Sequence, residues 1–262
     1  MWRAGSASVT LAQRDLVYRR GLAPRYIATR ERIMAEQTPQ TLNHFALLTF
    51  QESYWRMSAE ERCALRQRWL HELGDVADAL HLYQVYPSQV GTDLIAWSAL
   101  RAEEPSAARD FFGRFAAAMA PFRSHIVLKD TLWGFTQPSQ YTKARSTQEV
   151  DPFGSERSPY LIMYPFVKTS EWYLKSREER QAMMGSHIKV GKQYPEITQL
   201  LLYSFGLQDQ EFVVVYETQD LLRFLGLVNE LRSTEARLYT QRDYPLHTGF
   251  HQPDEPALAA WL

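Results

Sequence analysis

YLIMYPFVKTSEWYLKSREERQAMMGSH, residues 160–187, contains the strand, turn and helix on which the fold prediction depends. Its first eight residues are apolar or aromatic, which predicts a buried strand, with Pro165 at the strand's exit or at a sheet edge. Ser176 is followed three residues later by Glu179. This spacing is typical of a capping box and predicts that a helix begins there.

The predicted helix brings Met183 and His187 to one face, because the two residues are four positions apart. A single histidine on an apolar helical face is most often a packed or surface residue. The local pattern alone therefore does not assign a ligand role to His187.

Composition indicates a globular protein with ample length for a core. The chain has 262 residues, 45% of them hydrophobic, and 29 basic residues balance 30 acidic ones, which argues against a nucleic-acid partner. A single cysteine, Cys63, excludes an intrachain disulfide and fits a reducing compartment. No apolar run has the length of a signal peptide core or a membrane span, so a cytoplasmic location is expected. The aromatic content of 13% suits either a large flat ligand or an oligomer interface.

An internal repeat relates the two halves of the chain at an offset of 118 residues. It aligns residues 54–62, YWRMSAEER, with residues 172–180, WYLKSREER, and residues 93–97 with residues 211–215. A repeat of this length indicates a duplicated supersecondary unit. Trp69 occupies the position that corresponds to His187, so only the second unit has a histidine there.

Each unit is predicted to run strand, helix, strand, strand, helix, strand, which is the ferredoxin-like order. We therefore expect an α+β fold of two tandem ferredoxin-like units, related by pseudo-twofold symmetry, that bury one sheet face against the other. The predicted strands are residues 43–50, 80–86, 93–99, 125–135, 159–166, 199–205, 211–217 and 235–244, and the predicted helices are residues 58–78, 105–119, 176–190 and 219–231. The predicted divisions are an N-terminal arm (1–40, with a short helix at 28–36), a first unit (41–137), a linker (138–158), a second unit (159–250) and a tail (251–262).

The chain resembles the chlorite dismutase-like superfamily of haem proteins, and most closely its coproheme decarboxylase branch. The resemblance rests on YPFVKTSEWY, SHIKVG, YSFGLQDQEFVVVYET and LRSTEARLYTQRDYPLHTG, in this order. It extends from about residue 159 to residue 249, and the N-terminal half matches only in general architecture. It implies the same tandem arrangement, with a haem site in the C-terminal unit.

The resemblance implies that His187 is the axial ligand to the iron and that Glu235 is the acidic partner of its ring. Without it, Glu235 is a surface acid paired with Arg232 or Arg237. Met183 would line the cofactor site from the helix face that carries His187.

Tyr164 lies 23 residues before His187 and eight before Trp172, intervals that are similar to those of the actinobacterial-type coproheme decarboxylases. The resemblance implies that Tyr164 is the redox-active residue beside a propionate, that Lys168 is a charge partner or proton donor there, and that Trp172 packs against the macrocycle. Without the resemblance, a tyrosine in a buried strand such as Tyr164 is most often a packing residue, and Trp172 can equally be an ordinary core aromatic residue.

The resemblance implies that Gln199 lies on the distal side, opposite His187, with Leu200 as the alternative if the alignment shifts by one residue. Chlorite dismutases place an arginine at about this point, and residues 188–222 contain none. Actinobacterial-type relatives supply a distal histidine from the linker, where this chain has Thr147 and Gln148.

The linker is long and polar, which is typical of a functional or disordered segment. Its Lys143, Arg145 and Arg157 are solvated charges on the simplest interpretation. The resemblance implies that they face the propionates of the haem.

The predicted function is the hydrogen peroxide-dependent decarboxylation of iron-coproporphyrin III to haem b. Chlorite dismutation with a stably bound haem b and non-enzymatic haem binding remain as alternatives. The family resemblance further implies a homo-oligomer, with a homopentamer as the expected state.

Overall fold

The computed structural model describes residues 40–138, 141 and 147–262. The predicted helix at 28–36, the rest of the N-terminal arm, Lys143 and Arg145 lie outside these residues. The strands are β1 (Thr41–Phe50), β2 (Ala79–Gln84), β3 (Leu94–Arg101), β4 (Ile126–Phe135), β5 (Tyr160–Lys168), β6 (Thr198–Tyr203), β7 (Phe212–Thr218), β8 (Thr240–Arg242) and β9 (His247–Gln252). The helices are α1 (Glu52–Trp55), α2 (Ala59–Gly74), α3 (Ala107–Met119), α4 (Ser170–Leu174), α5 (Arg177–Gly191), α6 (Leu221–Arg232) and α7 (Glu255–Ala259), with 3-10 helices at Ala120–Phe122 and Glu235–Tyr239.

The first half forms antiparallel pairs in the order β4-β1-β3-β2. Its two longer helices cover one face of these strands, and Trp69 of α2 is fully buried in the resulting core with Phe111 and Phe115 of α3. Ser58 opens α2 through a capping box with Glu61.

The second half repeats the plan in the order β9-β5-β7-β6, again antiparallel. A capping box of Ser176 and Glu179 opens α5, and it corresponds to the capping box of α2 at the offset of 118. Ile162 of β5 and Tyr216 of β7 project from the outer sheet face into a core that Phe224 of α6 completes.

The two halves also join by hydrogen bonds, which the sequence did not predict. Strand β2 pairs with β9, and β4 meets β6 at Phe135 and Tyr203. Because β5 pairs with β7, eight of the nine strands in the described ranges form a closed antiparallel ring. The inner faces of both halves fill it with apolar side chains, among them Phe45, Trp97 and Met163. The α+β class and the burial of one sheet face against the other are confirmed.

The fourth strand of the second half lies further along the chain than predicted. Residues 235–244 were expected to form it, but the 3-10 helix Glu235–Tyr239 and the short β8 occupy them, and β9 takes the strand's place beside β5. The segment begins with Glu-Ala-Arg-Leu, which are good helix formers and favour a helical turn there. A long strand through Pro245 is disfavoured because proline lacks the N–H that a continuous ladder needs.

The predicted C-terminal tail is therefore partly ordered secondary structure. The boundary expected at residue 250 cuts through β9, and α7 follows it. Among the described residues, no helix combines the length and apolar composition required to cross a bilayer.

Candidate functional site: a helix histidine above a cationic cluster

Helix α5 presents His187 half-buried, toward the turn that follows α6. Its Nδ1 lies 3.3 Å from Oγ1 of Thr234, and that hydroxyl donates its own proton to the carbonyl of Leu231 at 2.7 Å. Thr234 must therefore accept from an Nδ1–H of His187, since a hydroxyl has only one proton. This arrangement assigns the tautomer and leaves the lone pair of Nε2 free to bind a metal.

Burial and the nearby Lys168 ammonium lower the pKa of His187 to about 4. The imidazole is consequently neutral at physiological pH. The neutral form is the one that binds a metal ion.

The acid expected beside this histidine is not in contact with it. Glu235 is exposed, and no hydrogen bond between the described atoms joins it to His187. The preceding residue, Thr234, occupies that position, because Glu235 already belongs to the 3-10 helix and projects outward. Arg232 and Arg237, the alternative partners of Glu235, pair with Asp243.

Lys168, at the end of β5, points into the same region. Its Nζ donates to the carbonyl of Ala236 at 3.1 Å and to Oγ1 of Thr240 at 3.2 Å, and it lies 4.7 Å from the centroid of the Trp172 ring. Burial, followed by repulsion from Arg237, lowers the pKa of Lys168 to about 8. The ammonium can therefore both bind an anion and release a proton near neutral pH.

Trp172 and Met183, both predicted to line the cofactor site, pack together. They form a small buried cluster with Ala236, and Tyr239 lies 5.8 Å from Trp172 between ring centroids. The cluster borders Lys168 through the Trp172 ring. It agrees with a packing role as well as with a ligand-lining role.

Tyr164 projects from the outer face of β5, half-buried, and stacks on Tyr216 of β7 at 6.2 Å between ring centroids. Burial raises the pKa of Tyr164, the neighbouring Tyr216 hydroxyl opposes that rise, and the charges of Asp243, Arg232 and Arg237 also act on the hydroxyl. The phenol is thus protonated at neutral pH and faces a charged cluster.

The charged cluster consists of Arg232, Arg237 and Asp243. Nη1 of Arg237 lies 3.0 Å from Oδ2 of Asp243, and Nη2 of Arg232 lies 3.5 Å from the same oxygen. Two arginines on one carboxylate form a site suited to carboxylate groups in general. From the sequence, these arginines were expected only as alternative partners of Glu235, although both fall within the motif LRSTEARLYTQRDYP.

Gln199 lies exposed on β6, directly across from Tyr216 in the ladder. Its backbone pairs with the linker: its N–H donates to the carbonyl of Gln148 at 2.7 Å, and its carbonyl accepts from Val150 at 3.0 Å. Because alternate residues share a sheet face, Gln199 lies on the outer face with Tyr216. The alternative residue, Leu200, is buried in the inner core.

The side chain of Gln148 contacts the end of the helix that carries His187 and the turn that follows it. Its Nε2 donates toward the carbonyls of Gly191, Tyr194 and Ile197 at 3.3, 2.8 and 3.1 Å. The linker thus contacts the last residue of α5 and, through its two shorter bonds, the turn that follows this helix.

Arg157 corrects the interpretation of the linker charges as solvated. Its side chain is only 4% exposed, and Nη1 lies 3.5 Å from Oε1 of Glu217, which also accepts from the Tyr83 hydroxyl at 2.8 Å. Nη2 and Nε donate to the carbonyls of Asp151 and Glu156, and the guanidinium lies over Trp97. Arg157 therefore anchors the linker to the strands. The sequence of the linker does not show that its partner is Glu217, because this buried carboxylate lies on β7, far along the chain.

A family model for chlorite dismutase matches residues 56–252. The chain belongs to the chlorite dismutase family, which confirms the resemblance. Among curated proteins, it is 28% identical over 171 residues to the coproheme decarboxylase of Mycolicibacterium smegmatis, covering 64% of this chain and 71% of the relative. It is 39% identical over 135 residues to that of Staphylococcus carnosus, covering 47% of this chain and 52% of the relative.

A coproheme decarboxylase of Thermus thermophilus is 28% identical over 164 residues. That alignment covers 61% of this chain and 64% of the relative, so the chain spans under two thirds of two of these three relatives. The predicted coproheme decarboxylase branch is thus the one from which the curated relatives come.

Solved structures of chlorite dismutase from Candidatus Nitrospira defluvii share the fold. A mutant form superposes with a TM-score of 0.72 and 21% identity over 88% of this chain and 98% of that one. The complex with imidazole gives a TM-score of 0.70 at 20% identity, with the same coverage. At this identity the likeness establishes the architecture and not the reaction.

Proposed function

We propose that this protein decarboxylates iron-coproporphyrin III to haem b with hydrogen peroxide, and that His187 is its only protein ligand to the iron. The observation that carries the proposal is the neutral imidazole of His187, with Nε2 free, on the same side of the fold as the Lys168 ammonium and the Tyr164 phenol. The curated relatives named coproheme decarboxylase support the choice of substrate.

The described residues fit an iron porphyrin with several carboxylates. Thr234 fixes the tautomer that leaves Nε2 as the donor atom. Lys168, Arg232 and Arg237 supply positive charge on the side of Tyr164, where propionates would lie. Trp172 and Met183, which are buried together with Ala236, would form the apolar packing behind the macrocycle. Lys143 and Arg145 remain part of the proposal as further groups around the propionates, and Glu235 as an exposed acid next to Thr234, the residue that contacts the histidine.

The bound iron porphyrin supplies the reaction with peroxide, and the protein supplies orientation and proton control. Each propionate loses carbon dioxide, two electrons and one proton and becomes a vinyl group. One hydrogen peroxide accepts the two electrons with two protons and becomes two water molecules. The bound porphyrin would supply the oxidising equivalents. Tyr164 would relay one of them by exchanging its phenolic hydrogen for a hydrogen atom of the propionate chain, and the second electron of each decarboxylation would pass to the porphyrin as carbon dioxide leaves.

Lys168 and Gln199 complete the proposed catalytic set. Lys168 would neutralise the reacting propionate, and its pKa of about 8 suits a proton donor. Gln199, on the outer sheet face beside Tyr216, would donate a hydrogen bond to peroxide on the distal side.

The proposal extends to the organisation of the chain. The matching strand orders β4-β1-β3-β2 and β9-β5-β7-β6 support two ferredoxin-like units with pseudo-twofold symmetry, joined by the linker 138–158 and flanked by the arm 1–40 and the tail 251–262. Buried Trp69 in the first unit leaves the second as the haem-binding one. A cytoplasmic homopentamer is the form in which we propose that it works.

The decisive experiment is anaerobic loading with iron-coproporphyrin III, followed by titration with peroxide and mass detection of the pigment. Two successive losses, each of carbon dioxide with two hydrogens, are expected. Unchanged pigment together with decomposition of chlorite would establish chlorite dismutation instead. Unchanged pigment with neither reaction would establish a haem-binding protein.

A further inference from the structure

The ladder between β5 and β7 ends just before Lys168. Its last pair is Phe166 with Phe212, beyond which the N–H of Glu211 donates to the carbonyl of Phe166 at 3.3 Å. The N–H of Lys168, two residues further along β5, donates at 2.8 Å to a side-chain atom, Oε2 of Glu211. A carboxylate thus holds the backbone of Lys168 at the point where the regular pairing with β7 stops.

The same carboxylate oxygen also binds helix α4. The hydroxyl of Tyr173 donates to Oε2 of Glu211 at 2.5 Å, a length typical of hydrogen bonds from a hydroxyl to a charged carboxylate, which are stronger than those between neutral groups. Tyr173 follows Trp172 directly in the chain. One oxygen atom therefore joins the strand end that carries Lys168 to the helix that carries Trp172.

The side chains of Lys168 and Trp172 contact each other as well, with Nζ of Lys168 4.7 Å from the centroid of the Trp172 ring. The other groups that Nζ contacts, the carbonyl of Ala236 and the hydroxyl of Thr240, carry no net charge. The carboxylate of Glu211 supplies a negative charge, which opposes the lowering of the Lys168 pKa by burial. Glu211 thus acts on Lys168 through its backbone, through the neighbouring helix and through its charge.

We propose that Glu211 is a positioning residue, whose carboxylate binds the Lys168 backbone and the Tyr173 hydroxyl together and thereby keeps the Lys168 ammonium against the ring of Trp172. The inference rests on the proposed function for its consequence in catalysis, because Lys168 is the residue that would neutralise the reacting propionate. The contact itself can be measured without pigment. A residue that only anchors the turn would have the same effect whether or not residue 168 carries an amino group.

The first test uses pigment-free protein that contains fluorotryptophan, with the Trp172 resonance assigned by Trp172→Phe. Lys168→Met keeps the length of the side chain and removes the ammonium, so it gives the fluorine shift of Trp172 without a cation against its ring. Tyr173→Phe should move the resonance part of the way toward that shift, and should move it no further in a Lys168→Met background. Glu211→Gln, which leaves the chain neighbours of Trp172 unchanged, should move the resonance in the same direction.

Tyr194→Phe is the matched control, because it also removes a tyrosine hydroxyl that donates to a carboxylate, in this case to Oε1 of Glu230 at 2.6 Å. It should leave the Trp172 resonance at its parental position. A parental resonance in either Tyr173→Phe or Glu211→Gln, or an equal movement in the control, would overturn the inference. So would an equal movement caused by Tyr173→Phe in the parent and in Lys168→Met.

The second test measures the affinity for iron-coproporphyrin III. Tyr173→Phe should weaken binding roughly three- to tenfold in the parent and cause no further loss in Lys168→Met, because both changes act through the same ammonium. The same fold-change in both backgrounds would show that Glu211 only anchors the turn. If the parent does not bind the pigment, the proposed function fails, and the fluorine shift still decides whether Glu211 positions Lys168.

Discussion

Gln148→Glu tests how the linker holds the helix that carries His187. The amide has two protons, and its two shortest bonds go to the carbonyls of Tyr194 and Ile197 at 2.8 and 3.1 Å. At roughly 0.5–1.5 kcal/mol for each bond, losing both costs about 1–3 kcal/mol of unfolding free energy. Gln148→Ala should show this loss alone.

The carboxylate of Gln148→Glu adds repulsion, because it faces carbonyl oxygens at the negative end of α5. The protonated acid can still donate one hydrogen bond. Its folded-state pKa is therefore raised above the unfolded value. The stability that the acid form provides is present below the unfolded pKa and is lost as the pH rises through the folded pKa.

Urea unfolding followed by tryptophan fluorescence, at about pH 7 and about pH 5, measures both effects. The deficit of Gln148→Glu relative to Gln148→Ala should be largest at the higher pH and should shrink at the lower one. Iron-porphyrin affinity should fall in parallel, since His187 lies one turn before Gly191, where the amide contacts α5. If Gln148→Glu and the parent unfold at the same urea concentration at both pH values, the Gln148 amide does not stabilise the end of α5 and the turn that follows it.

Three further predictions follow from the site and the proposed assembly. His187→Ala should weaken iron-porphyrin binding about tenfold or more and shift the Soret band, whereas unaltered affinity and spectrum would remove His187 as the ligand. Arg157→Met should cost about 3–5 kcal/mol near neutral pH, because it leaves the buried Glu217 carboxylate unpaired, and less in acid, where Glu217 is protonated. Urea unfolding should show partial recovery on adding Glu217→Gln, and no loss in the single variant would contradict the buried pair. Light scattering should give about five times 30.5 kDa, and a monomer mass at micromolar concentration would exclude the pentamer.

Much of the fold was predictable because local signals repeat. Two capping boxes at Ser58 and Ser176 mark corresponding helices, and alternating apolar strands follow each helix at similar spacing. The closing pairs between the halves were not predictable. The contact of Phe135 with Tyr203 joins residues far apart in the chain, and no local pattern encodes it.

The candidate site shows the same division between local and distant signals. The face shared by Met183 and His187 follows from helical spacing alone. Thr234, and not the predicted Glu235, contacts the histidine because the 3-10 helix begins at Glu235. Residue propensities do not locate the start of a helix to within one residue, so the sequence could not distinguish the two. The stacking of Tyr164 on Tyr216 and the burial of Arg157 arise from tertiary contacts. Sequence patterns identified the individual residues in both cases but not their partners.

Product formation by Tyr164→Phe, measured by mass detection after peroxide is added to the loaded protein, tests the central claim most directly. The substitution keeps the ring stacked on Tyr216 and removes only the hydroxyl, so folding and binding through His187 should persist at a cost of about 0.5–1.5 kcal/mol in stability. The variant should consume peroxide and release almost no decarboxylated product. Haem b formed at a rate near that of the parent would show that Tyr164 is a packing residue and that the proposed reaction does not proceed through it.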